Sequence, residues 1–174
     1  MGMEIERKWM VDGWPGQDLP LEEEFELDQG YLSTAPVVRI RREAEKGGDT
    51  QYILCIKSAG RLARREIEIP VEKNRYEELR EMIGLPLIHK VRRTYLLPDG
   101  NRLEVNHVDA GRKEAFWYAE VEFSSVKEAH NWDPETVGLG DYLSDDVTDL
   151  PGQSMSYYWI ETRLSGGARE AEVQ

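Results

Sequence analysis

Charged side chains recur at every second residue in one short run after another, and no other feature restricts the fold of this chain as much. Side chains alternate across a β-strand, so residues two apart share a face. Glu4, Glu6 and Lys8 share one face, while Met3, Ile5, Trp9 and Val11 share the other. Arg39 and Arg41 oppose Val38 and Ile40, and Arg64, Glu66 and Glu68 oppose Ile67, Ile69 and Val71. Lys90 and Arg92 oppose Val91, Glu120 and Glu122 oppose Val121 and Phe123, and Lys57 ends a further run. One such face alone is most simply read as solvated, because charged side chains are mostly exposed. A wet sheet face, however, carries Thr, Ser, Gln and scattered Lys, whereas these faces set like charges side by side. If the sheet closes on itself, the charges converge in its interior and the apolar faces turn outward, where they need cover.

The punctuation between the runs supports closure. Strands are expected over 3–11, near 25–32, and over 37–42, 52–57, 64–71, 89–97, 101–108 and 116–123, with turns at Gly47-Gly48, Gly60, Pro98-Asp99-Gly100 and Asp109–Gly111. Residues 12–28, with Gly13, Pro15, Gly16, Pro20 and the acidic run Glu22–Glu24, read as a loop leading into the second strand. Tyr76, Leu79 and Ile83 recur at helical spacing over 74–83, with Gly84 as C-cap and Pro86 as a block. Ser125 and Glu128 form a capping box for a short helix ending near Trp132, and Met155, Tyr158, Trp159 and Thr162 mark a last helix over 153–163. The expected class is α+β, predominantly β, with an antiparallel sheet or barrel. The helices at 74–83 and 153–163 are the expected cover. A single domain spans 1–164, and the polar stretch 165–174 is expected to be a disordered tail.

Composition narrows the partners. The 174 residues carry 22 Lys+Arg against 34 Asp+Glu, a formal net charge of -12. Such a chain repels nucleic-acid backbones and acidic membrane surfaces, so any polyanion must be met by a local concentration of cations. Cys55 is the single cysteine, so no intrachain disulfide or cysteine zinc cluster can form. His89, His107 and His130 lack metal-binding spacing. The first residues show no basic segment leading into an apolar one, and no apolar run reaches membrane-spanning length, so a cytoplasmic protein is expected.

Like charges gathered in an interior repel, and desolvation makes each costly, unless opposite charges and ligands neutralise them. Carboxylates call for a cation, and guanidinium and ammonium groups for an anion. A polyphosphate carrying Mg²⁺ or Mn²⁺ satisfies both.

The motifs occur in a recognisable order. Glu4-Ile5-Glu6-Arg7-Lys8 is an ExExK signature. It is followed by Gln29-Gly30-Tyr31-Leu32, Val38-Arg39-Ile40-Arg41, Ile56-Lys57, Arg64-Arg65-Glu66-Ile67-Glu68, Lys90-Val91-Arg92, Glu120-Val121-Glu122-Phe123 and Val147-Thr148. From residue 4 to about residue 148 the chain resembles the CYTH, or triphosphate tunnel metalloenzyme, superfamily. The resemblance implies a closed eight-stranded antiparallel barrel forming a tunnel, in which carboxylates hold a divalent metal, magnesium or manganese, and basic residues hold a triphosphate. By position, Glu4, Glu6 and Glu122 correspond to principal metal ligands, with Glu120 and Glu104 as supporting carboxylates. Lys8, Arg39, Arg41, Lys57, Arg64, Lys90 and Arg92 correspond to the triphosphate-binding set, with Lys8 and Lys90 catalytic and Lys90 orienting or deprotonating the attacking water. Glu66 and Glu68 match positions that partner the basic residues. Two departures stand out: Asn106 where relatives commonly carry Asp, and Asp146-Val147-Thr148 where they often show Glu-Val-Thr. The segment Leu150–Met155 replaces a basic-tyrosine segment.

The implied activity is metal-dependent hydrolysis of inorganic tripolyphosphate or a related small triphosphate. The alternatives are a class IV-type adenylyl cyclase, for which no nucleotide-reading motif is visible, and a non-catalytic module that binds polyphosphate or nucleotide. The sequence leaves the oligomeric state open, a homodimer included.

Overall fold

The computed structural model describes residues 2–165. Strands β1 (Gly2–Val11), β2 (Leu21–Thr34), β3 (Val37–Glu45), β4 (Thr50–Lys57) and β5 (Ala63–Pro70) precede helix α1 (Lys73–Ile83). Strands β6 (Ile88–Leu96), β7 (Arg102–Val108) and β8 (Phe116–Glu122) follow. Then come helix α2 (Val126–Asn131), a 3-10 turn at Pro134–Val137, a two-residue strand β9 (Asp145–Asp146), and helix α3 (Met155–Trp159), which runs on as a π-helical turn over Ile160–Leu164. Among the described residues no helix is long and apolar enough to cross a membrane.

The strands form one antiparallel sheet in the order β5-β4-β3-β2-β6-β7-β8-β1, and pairing of β1 with β5 closes it into an eight-stranded barrel. β1 divides its pairing: Glu6–Val11 lie against β8, Gly2–Ile5 against β5, and Trp9 and Met10 against β9. Antiparallel partners place their side chains on the same face. The register Glu4↔Arg64, Glu6↔Glu122 and Lys8↔Glu120 therefore brings charged residues of β1, β5 and β8 to one interior surface.

The acidic stretch at 22–24 is strand rather than loop. Glu23 and Glu24 continue the β2–β6 ladder, and the run is neutralised from neighbouring strands: Arg93 Nε lies 2.6 Å from Glu24 Oε1, and Arg102 Nε lies 2.6 Å from Glu22 Oε2. Those partners lie roughly 70–80 residues further along the chain and leave no local signal in the sequence.

The apolar faces point outward; those of β1, β7 and β8 are covered, though not chiefly by the two helices expected to do so, while Ile67 and Ile69 on β5 stay exposed. The larger cluster, with Ile5, Trp9, Val11, Leu103, Val105, Val121 and Phe123, is roofed by Ala129, Val137, Leu139 and Leu143 of the 126–143 segment. Trp132 packs edge-on to Trp9 with ring centroids 5.8 Å apart. Arg7 threads this layer: its guanidinium lies over the Trp9 ring, donates to the carbonyls of Ala129 and Trp132, and pairs with Asp146 at 2.8 Å. Met155 and Trp159 of α3 pack instead against Tyr31, Ile88, Val108 and Tyr118, which share the inward face with Arg39 and Lys90, so α3 covers one end of the barrel interior, while α1 buries only Tyr76, against Tyr52. Gly30 leaves room on the wall for the α1–β6 connection and the end of α1, since a β-carbon there would lie 2.5 Å from Leu87 Cδ2 and 3.2 Å from Ile83 Cδ1. Ser165 ends the last helical turn. The rest of the expected tail, 166–174, lies outside the described residues.

Candidate active site

The barrel encloses a cavity of about 590 Å³. Every residue singled out for the site lines it: Glu4, Glu6 and Lys8 from β1, Arg39 and Arg41 from β3, Lys57 from β4, Arg64 from β5, Lys90 and Arg92 from β6, Glu104 from β7, and Glu120 and Glu122 from β8. Alternation delivers them, because in each case the intervening residues face the outer apolar layer.

The cavity is polarised. Glu4, Glu6, Glu104, Glu120 and Glu122 come from the adjacent strands β1, β7 and β8, and the register pairs Glu6↔Glu122 and Glu104↔Glu120 set carboxylates side by side. Arg39, Arg41, Lys90 and Arg92 come from β3 and β6, on either side of β2. Arg39, Arg41 and Lys90 are buried. Between the two walls Lys57 Nζ donates to Glu4 Oε2 at 2.9 Å and lies 3.2 Å from Glu66 Oε2, and Arg64 Nε donates to Glu4 Oε1 at 3.1 Å. Arg92 reaches Glu104 only at 4.0 Å, and Arg41 pairs with Glu43 and lies 3.8 Å from Glu68.

Crowding sets the protonation states. Burial and then the charge of Glu120 push Glu6 well above the ordinary carboxylate range, whereas Glu120, also raised by burial, is drawn below it by the hydrogen bond from Glu6 and the charges of Lys8 and Lys90. Crowding of the two carboxylates thus favours protonation of Glu6 over Glu120. Burial raises Glu4, but a hydrogen bond from Glu66 and the charges of Lys57 and Arg64 outweigh it and leave Glu4 well below the ordinary range. Glu66 is pushed up to about 8 by burial and by Glu4. Lys90 is driven well below the usual lysine range by burial and then by Arg41, Arg39 and Arg92. Its Nζ lies 2.7 Å from Tyr118 Oη.

Other cavity residues escaped the sequence reading. Glu43 and Tyr118 continue the same alternation, two residues after Arg41 and two before Glu120, so extending the pattern by one step finds both. Tyr31 lies inside beside Arg39 in the β2–β3 register. Lys8 Nζ lies 4.3 Å above the Tyr118 ring and donates to the carbonyl of Gln153. The segment Val147–Ser156 lines the cavity, and Arg61 holds it by donating to the carbonyl of Asp149 at 2.8 Å. Nothing periodic in that segment announces this. Asp146, by contrast, lies outside the cavity: its carboxylate accepts from Arg7 and from the Thr148 amide and hydroxyl. Asn106 is fully buried on the inward face of β7, in register with Arg92 and Tyr118.

The acidic wall fits a hard divalent cation by its donor chemistry, all carboxylate oxygens. As they stand the five glutamates are spread, with Glu4 turned to Lys57 and Arg64. Among the described residues, the group whose donor atoms lie within 4.8 Å of one another is Cys55, Glu66 and Glu68.

No protein-family model matches the chain. It is 35% identical over 131 residues to an inorganic triphosphatase of Nitrosomonas europaea, covering 75% of this chain and 83% of that protein. A crystal structure of an inorganic triphosphatase superposes with a TM-score of 0.60 at 26% identity, covering 91% of this chain and 95% of that one. A protein from Pyrococcus horikoshii OT3 shares the fold, with a TM-score of 0.55 at 19% identity over 77% of this chain and 84% of its own. A barrel with acidic and basic inner walls, the ordered motifs that build it and the extent of these matches agree: the chain belongs to the CYTH, or triphosphate tunnel metalloenzyme, superfamily.

Proposed function

We propose that this protein is an inorganic triphosphatase that hydrolyses tripolyphosphate with magnesium or manganese. The observation that carries the reading is one cavity inside the barrel with a carboxylate wall facing a wall of buried cations. The relative in Nitrosomonas europaea named as an inorganic triphosphatase supports it.

Glu4, Glu6, Glu120 and Glu122, with Glu104 beside them, would hold the metal, which supplies charge neutralisation at the phosphate oxygens. Arg39, Arg41 and Arg92 take the polyphosphate oxygens, for which the planar guanidinium fork is suited. Inside a barrel, a fixed cation stabilises developing negative charge more strongly than in water. Lys57 and Arg64 hold Glu4 ionised and oriented. Lys8, braced by Tyr118 and the Gln153 carbonyl, adds a cation where the acidic wall ends. Lys90 is the general base: burial and three neighbouring guanidiniums favour its free amine, which takes a proton from the attacking water. The same reading places the protein in the cytoplasm, where the buried thiol of Cys55 stays reduced.

The test is phosphate release from tripolyphosphate, ATP and thiamine triphosphate with Mg²⁺ or Mn²⁺. Tripolyphosphate should be cleaved fastest, and chelation should stop turnover. Lys90→Ala should lower kcat by ~10²–10⁴-fold with the fold retained, and Glu4→Gln should act comparably. Full activity in either variant would falsify the assigned role, and cyclic AMP formation from ATP would favour the cyclase reading instead.

A further inference from the structure

Two buried polar groups face each other across the β6–β7 ladder without hydrogen-bond partners. Arg92 and Asn106 are register partners. Asn106 is completely buried, and neither its amide oxygen nor its amide nitrogen has a partner among the described residues. Arg92 Nε is buried and unpartnered as well. Residues directly opposite on a ladder carry their β-carbons about 4.5–5.5 Å apart on one face, so an asparagine oxygen can reach the Nε–H of an arginine opposite. Buried amides are nearly always paired in folded proteins. An amide left open on both atoms beside a loosely held guanidinium is a hydrogen bond waiting to be made.

The guanidinium is loosely held. It contacts Glu104 only at 4.0 Å and lies 5.4 Å from the Phe25 ring centroid. It also repels the charge of Arg41. An anion on this wall draws the Nη atoms toward itself, and the opposite edge of the fork, carrying Nε–H, then turns back to the wall. Asn106 occupies that wall.

We propose that Asn106 is a positioning residue: its Oδ1 accepts from Arg92 Nε–H when Arg92 closes on the triphosphate, fixing the fork with its Nη atoms on phosphate oxygens. An amide is suited to this because it is neutral. A carboxylate at the same place would pair with Arg92 and withdraw charge from the anion, so this chain's Asn106 keeps the cationic wall at full strength. The inference rests on the reading of the cavity as a triphosphate site.

The test is a double-mutant cycle on the full chain with tripolyphosphate and Mg²⁺, reading KM, kcat and the thermal midpoint. In the Arg92 background, Asn106→Leu and Asn106→Asp should each raise KM by about tenfold, as for loss of a hydrogen bond to a charged group, with kcat changing much less. Asn106→Leu should not lower the thermal midpoint, because an apolar group of similar shape replaces a buried amide without partners. In an Arg92→Ala background, adding Asn106→Leu should change KM by less than about twofold, the range of independent sites. A full effect of Asn106→Leu without Arg92 overturns the proposal, as does an unchanged KM in both Asn106 variants. If the wild type fails to cleave tripolyphosphate, or if Arg92→Ala leaves KM unchanged, the underlying reading of the cavity falls instead.

Discussion

At the scale of single residues, the most demanding contact outside the cavity joins Asp109 to Arg163. Both are buried; the guanidinium donates to Asp109 Oδ2 at 2.7 Å and Oδ1 at 3.2 Å, and also to the carbonyls of Pro86 and Leu87. Tyr158 Oη and the His89 amide complete the carboxylate's shell at 2.6 and 3.1 Å. Burial raises Asp109, but the bonds from Arg163, Tyr158 and His89 hold it below the usual aspartate range. Arg163→Ala should therefore destabilise the protein by about 3–5 kcal/mol, because it strands a buried carboxylate; chemical denaturation measures this. The folded-state pKa of Asp109 is depressed, so its contribution is present above the unfolded value of about 3.9 and lost as pH falls through the folded one. The stability difference between wild type and Asp109→Asn should shrink as pH drops below about 4; a difference constant down to acid pH would remove the linkage. In the sequence Asp109 looks like a turn residue, which it also is, with φ at 49°. Its charge partner is more than fifty residues away, beyond any local pattern.

At the scale of elements, the alternation in β1, β3, β5, β6 and β8 was readable because a strand with one charged and one apolar face imposes a strict period of two. Interior placement was readable from it too, since repelling charges on many strands make sense only around a shared ligand. Cover was not readable. The 126–143 segment is a short helix, a 3-10 turn and loop, whose apolar residues follow no single period, yet Leu139 is fully buried in the larger outer cluster. The tidier amphipathic pattern of α1 covers less. Leu139→Ala should cost about 2–5 kcal/mol, whereas Met82→Ala on α1, at a residue 76% exposed, should stay within about 0.5 kcal/mol. Equal losses in the two variants, compared by thermal or denaturant unfolding, would show that the segment is not part of the core. The Val147–Ser156 lining follows no period for a related reason, and only the motif order pointed to it: it is placed by backbone carbonyls accepting from Lys8 and Arg61, and carbonyls carry no sequence signature.

At the scale of the whole molecule, a chain of net charge -12 concentrates buried cations in one place and meets them with a carboxylate wall. Both walls are held at a cost that a metal-loaded anion relieves, so ligand binding and folding stability are linked. Tripolyphosphate with Mg²⁺ at about one hundred times its Kd should stabilise the wild type by about 2.7 kcal/mol, seen as a rise in thermal midpoint. Arg39→Ala, which removes a buried cation from the wall, should show a smaller rise at the same concentration. An identical shift in both proteins would mean that the anion binds elsewhere.

The divided pairing of β1 has a consequence in time. Glu4, Glu6 and Lys8 sit on the strand that meets β5 on one side and β8 on the other, so this earliest strand is not paired on both sides until β8, at Phe116–Glu122, exists. Contacts of such long sequence separation form slowly. The step that seals the cylinder is also the step that brings the ExExK residues to the other side chains of the pocket, and a chain stalled before that step lacks part of its chemistry rather than performing it weakly.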